Sequence, residues 1–142
     1  MKITGNCYFA KNFPGEDCSH LIIVVASRED RLLVVPISSI KFTETGIMKH
    51  EGRRCKYYDN SCVFHEEELI LNPGKFILNK PSFIRYQWAK DIFVETMKEK
   101  LSLQKYELKG KISKEILERI KEGAKISKEI EPRFVEFFLQ RE

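Results

Sequence analysis

No run of apolar residues in the sequence reaches the roughly 18 needed to span a bilayer as a helix. The opening Met1-Lys2-Ile3-Thr4-Gly5 lacks the apolar stretch of a secretory signal. These two absences predict a protein that does not enter membranes and that works in the cytoplasm. There is no Cys-x-x-Cys spacing either. Cys55, Cys62 and His65 form one loose group, and Cys18 and His20 another, but neither has the ligand pattern of a structural zinc site. No metal or other cofactor is predicted, and the four cysteines are read as reduced thiols. A strong single-sign charge is also missing. Lys+Arg number 12 against Asp+Glu 10 in residues 1–88, and 13 against 11 in 89–142, so the net +4 is spread evenly. Such a balance is no electrostatic signature of nucleic-acid binding by itself.

What is present is globular. Of the 142 residues, 42% are hydrophobic and 32% charged, enough to build a core without staples. His20–Ala26 is a nearly continuous run rich in β-branched residues, the pattern of a strand buried on both faces. A polar Ser27–Asp30 link joins it to Arg31–Ile37, which predicts a hairpin. Pro36 brings no amide donor and marks an edge or a bulge. Shorter strands are predicted at Asn6–Ala10, Cys62–Phe64, Phe76–Leu78 and Ser82–Tyr86. Residues 43–60 are read as a long loop, with Lys41, Lys49, Arg53, Arg54 and Lys56 in and beside it as a solvated basic stretch.

From Trp88 the spacing turns helical, through Ala89, Ile92, Phe93, Met97 and Leu101. Gly110 is taken as a break. A second helix is capped by Ser113 and closed by Gly123 as the residue after its end. A third begins at Glu131-Pro132, with Phe134–Leu139 as core. Lys-Ile-Ser-Lys-Glu-Ile occurs twice, at 111–116 and 125–130, each copy setting a serine before a helix start. The predicted organisation is α+β: a small β-barrel in residues 1–88 and a helical C-terminal extension in 89–142, packed on the barrel or on a partner.

Four pieces of the first part carry a resemblance. They are Gly5-Asn6-Cys7-Tyr8, then His20-Leu21-Ile22-Ile23-Val24-Val25, then Val34-Val35-Pro36-Ile37-Ser38-Ser39, and finally Asp59-Asn60-Ser61-Cys62 with Ser82-Phe83-Ile84-Arg85-Tyr86. In order and spacing, over roughly residues 5–90, they resemble divergent members of the PemK/MazF-like toxins of type II toxin–antitoxin systems. That resemblance implies an SH3-like barrel, usually a homodimer, held in check by an antitoxin protein. It also implies a metal-independent endoribonuclease that cleaves single-stranded RNA and inhibits growth. The family's strand-leading arginine falls at or beside His20, and its strand-ending threonine falls on Ser38.

His20 and Ser38 are therefore the candidate catalytic residues, His20 as acid or base and Ser38 as a phosphate contact. Ser39, Arg53, Arg54, Asp59 and Arg85 are the candidate RNA-binding residues. Two departures stand out. Histidine in place of arginine removes a permanent bidentate clamp. Where divergent members carry an Asp-His-Pro-Phe-like motif, this chain has Pro73-Gly74-Lys75-Phe76, without the histidine. The alternative is a catalytically inactive barrel that serves as a nucleic-acid- or protein-binding module. Cys18 beside His20 suggests a thiol nucleophile, but nothing nearby supplies an oxyanion site.

Overall fold

The computed structural model describes residues 3–13, 15, 19–42, 48–50, 61–65, 68, 70–72, 76–77 and 81–139. Among the described residues there are ten strands: β1 (Asn6–Lys11), β2 (Ser19–Arg28), β3 (Arg31–Phe42), β4 (Met48–His50), β5 (Val63–Phe64), β6 (Ile70–Leu71), β7 (Phe76–Ile77), β8 (Ser82–Ile84), β9 (Lys90–Phe93) and β10 (Tyr106–Lys111). A 3₁₀ turn occupies Tyr86–Trp88, and the helices are α1 (Val94–Ser102), α2 (Lys114–Ile126) and α3 (Pro132–Phe138). The main sheet is antiparallel, in the order β10-β1-β2-β3-β8-β5, with β4 and β9 also paired to β3. β6 and β7 pair with each other.

β2 and β3 make the predicted hairpin around Glu29-Asp30, with Arg28 opposite Arg31. Glu29 takes a left-handed φ of 56° to close it. β2 is buried on both sides of the sheet, as its sequence demands. Ile22 and Val24 join Tyr8, Leu32, Val34 and Met97 on the face covered by α1. Ile23 and Val25 join Leu33, Val35, Phe134 and Phe138 on the face covered by α2 and α3. A bulge between Val24 and Ala26 lets Val25 and Ala26, neighbours in sequence, enter the same core.

Pro36 sits where β3 changes partners. β9 pairs with Arg31–Val34, and β8 takes over at Ile37. In an antiparallel ladder a residue's N–H and C=O point the same way. The Pro36 carbonyl accepts from the Arg85 amide at 2.9 Å, so the missing N–H falls in the gap between the two ladders.

Residues 89–142 contribute two strands as well as helices. Lys90–Phe93 is a strand, not the first turn of a helix, and the helix starts at Val94. Ile92 pairs with Leu32, and Asp91 meets Arg31 at 2.6 Å. Gly110 is not a break between helices: it lies in β10, which pairs with β1. Its φ is +148°, and a Cβ there would meet Leu71 Cβ at 2.8 Å and the Asn72 carbonyl at 2.9 Å. This close approach brings Asn72 and Lys111 into a two-way backbone bridge at 3.0 and 2.7 Å. Among the described residues no ladder joins β5 to β10, so the expected closed barrel is instead an open path, tied near one end by that bridge.

Ser113 caps α2 as predicted, its Oγ accepting from the Ile116 amide at 3.2 Å. Gly123 does not end the helix, which runs on to Ile126. A Cβ at Gly123 would collide with the Tyr86 hydroxyl and lie 2.9 Å from both Cys62 Cβ and the Ser61 carbonyl. The glycine is there for close approach, not for a left-handed turn. The second repeat also differs from the first, because Ser127 caps the end of α2 and its Oγ accepts from the Glu129 amide. Pro132 opens α3, and Phe134, Phe137 and Phe138 are core.

Candidate nucleic-acid site

His20 lies on β2 two residues from Ile22, hence on the same face of the sheet. β2 and β3 pair Leu21 with Ile37. Carrying that register one residue further sets His20 across from Ser38. Arg85 follows the end of β8, and its amide hydrogen bond to Pro36 fixes it along the same stretch of β3. The 3₁₀ turn then brings Trp88 back over Arg85, with the Trp88 amide donating to the Arg85 carbonyl at 3.0 Å. The guanidinium carbon of Arg85 sits 3.4 Å from the centre of the Trp88 ring. His20 meets the same indole edge-to-face, centroid to centroid 5.5 Å. Three predicted site residues thus share one region, and Trp88 holds two of them.

The electrostatics give each group a state. Nδ1 of His20 is 2.8 Å from the Phe13 carbonyl. A carbonyl only accepts, so the proton is on Nδ1 and the lone pair of the neutral ring is on Nε2. Burial holds the His20 pKa below the ordinary imidazole range, and the nearby Arg85 charge lowers it further, against the opposing pull of the Phe13 hydrogen bond. Near neutral pH the ring is a neutral base. Arg85 is a buried cation, 4% exposed, stacked on an aromatic face. Ser38 is 2% exposed, and its hydroxyl makes no hydrogen bond among the described residues. A buried hydroxyl without a partner among the described residues is costly, so its position calls for an explanation.

Ser39 pairs with Ser82 in the β3–β8 ladder. Arg53, Arg54 and Asp59 lie outside the described residues, as do Cys18 and Cys55. Among the described residues no three histidine, cysteine or acidic side chains converge as metal ligands. No helix among them is long and apolar enough to cross a membrane.

Trp88, Phe13 and Lys90 were not anticipated as site residues. Trp88 is the sole tryptophan of the chain and stands three positions after Arg85, a spacing that stacks in a 3₁₀ turn. That was the available signal, obscured because Trp88 also fits the start of a helical pattern. Phe13 contributes a backbone carbonyl, which no side-chain motif reveals. The ammonium of Lys90 lies 5.6 Å from the Phe13 ring centre.

No family model matches the sequence, and neither a curated protein nor a solved structure matches it. The resemblance to PemK/MazF-like toxins therefore rests on the sequence pieces that carry it.

Proposed function

We propose that this chain binds RNA at the His20–Arg85–Trp88 cluster and cleaves it without a metal. The supporting observation is the fixed tautomer of His20, a neutral base beside a buried guanidinium. Nε2 takes the proton of a ribose 2′-hydroxyl, and that oxygen attacks the adjacent phosphorus. The P–O2′ bond forms and the P–O5′ bond breaks. The 5′-oxygen leaves with a proton returned from the imidazolium, giving a 2′,3′-cyclic phosphate and a 5′-hydroxyl. Once the site has opened around the RNA, Arg85 offsets the charge that gathers on the phosphorane and Ser38 gives a hydrogen bond to a phosphate oxygen. The family reading adds an SH3-like barrel, toward which the Asn72–Lys111 bridge at one end of the open sheet is the supporting contact, together with a homodimer, growth inhibition and an antitoxin partner.

A second reading, a binding module without catalysis, has its own support. Arg85 is covered by Trp88, and Ser38 is sealed within the sheet, so neither meets a phosphate unless the site rearranges. The test is induced expression in a bacterial host, wild type beside His20→Ala, with growth and total RNA followed together. Growth arrest and RNA fragments ending in 2′,3′-cyclic phosphate in the wild type alone are the expected result. Normal growth with intact RNA in both removes the ribonuclease reading and leaves the binding module.

A further inference from the structure

The cluster has a part that phosphate chemistry does not use. Trp88 is a partly exposed residue, and the Arg85 guanidinium occupies one face of its ring at 3.4 Å. The ring contacts on the page, Arg85 on that face and His20 edge-to-face, leave the opposite face for a ligand. The ring is held on two sides, by the stacked cation and by the edge-to-face His20. Its backbone is pinned within the 3₁₀ turn by its own amide hydrogen bond. A rigid aromatic plane with a cation behind it costs little entropy to use as a stacking surface. Gln87 and Lys90, next to Trp88 in sequence, are exposed.

We infer that Trp88 is a nucleobase subsite: an unpaired base stacks on the indole while the phosphate next to it lies against His20. This rests on the reading of the cluster as a phosphodiester site and adds the group that holds the base. A base within a duplex has no free face to offer, so the subsite selects single-stranded RNA. Stacking tolerates any base, and a preference for one base would have to come from Gln87 or Lys90.

The full chain provides its own probe, since Trp88 is the only tryptophan. A short single-stranded RNA carrying 2′-methoxy groups cannot be cleaved, and it separates binding from chemistry. Titrated into the wild type, it is expected to quench the tryptophan fluorescence. The same sequence as a duplex, or with its bases removed, is not. Fluorescence anisotropy of a labelled oligonucleotide gives the affinity of variants that lack the indole. Trp88→Phe is expected to retain most binding, and Trp88→Leu to weaken it roughly 5- to 150-fold, the span of one lost base stack. Binding by anisotropy without quenching overturns the base subsite but leaves the phosphate site standing. Equal binding of the abasic strand does the same. No binding of any strand overturns both. Because the quenching test uses the unaltered protein, a variant that fails to fold does not decide the matter.

Discussion

In His20 the Phe13 carbonyl fixes which nitrogen carries the proton, and burial with the Arg85 charge fixes when the ring is neutral. Burial and the Arg85 charge favour the free base, and the Phe13 hydrogen bond, which sets the tautomer, opposes them in part. The consequence is a pH prediction. An unperturbed imidazole titrates near about 6.5. With a lowered pKa, the base form persists below that value, so the acid limb of the cleavage rate should fall at lower pH than an ordinary histidine gives. The linked stability has the same sense. The His20 contribution is fully present above the ordinary value and is lost as pH falls through the lowered folded pKa. A cleavage rate that already declines above pH 6.5 would show that His20 is not the base. At this scale His20 and Ser38 were singled out through the resemblance, and Arg85 through its place in the Ser82–Tyr86 strand piece. The sequence did not disclose their states, which depend on a backbone carbonyl and on a tryptophan brought back by a 3₁₀ turn.

At the scale of elements, α2 shows how a helix is held at several points. Ser113 closes its start, the Tyr86 hydroxyl donates to the Ile120 carbonyl at 2.6 Å, and Gly123 lets Tyr86 and Cys62 approach the helix backbone. On the exposed side Arg119 donates to the Val63 carbonyl at 2.7 Å and pairs with Glu68, tying the helix to β5. Alanine at the two small positions should act through different causes. Ser113→Ala removes a cap and should cost about 1 kcal/mol. Gly123→Ala would gain helix propensity on its own, yet it forces Tyr86 and the 61–62 backbone away. We expect a net loss of about 1–3 kcal/mol, roughly 3–9 °C in Tm by thermal unfolding. A raised Tm for Gly123→Ala would mean that the contact yields easily. The helix starts at 113 and 132 were legible because capping serine and first-turn proline act locally. Gly123 was misread because close packing and a left-handed cap both select glycine, and only the third dimension separates them. β10 was missed for a related reason: the alternation of Tyr106 and Leu108 with charged residues is short, and Gly110, read as a break, interrupts it.

For the whole molecule, the decisive feature is a sheet with a core on each face. Cys7 on β1 reports on its integrity. Its side chain is fully buried and its thiol is pushed up to about 12 by that burial. At mildly alkaline pH, alkylation of Cys7 should follow global unfolding, accelerating with urea in step with loss of circular dichroism. Labelling within minutes in the absence of denaturant would reveal that β1 and β10 separate locally. The two-sided character of β2 was legible in its unbroken apolar run. The covering of its faces was not, because α1 and α3 lie far along the chain and no local pattern states which face a distant helix will take.

The pairing of β1 with β10 also sets an order of events during synthesis. β1 leaves the ribosome well before its outer partner, Tyr106–Lys111. The core on the other face waits for Phe134, Phe137 and Phe138. Until translation has passed Lys111 the nascent chain carries a strand edge without its neighbour, and until it has passed Phe138 an uncovered greasy sheet, the two features that chaperones bind and that drive aggregation. Contacts so distant in sequence also make for slow folding. A ribosome that stalls between β10 and Phe138 would therefore release a sticky fragment, not a smaller working protein.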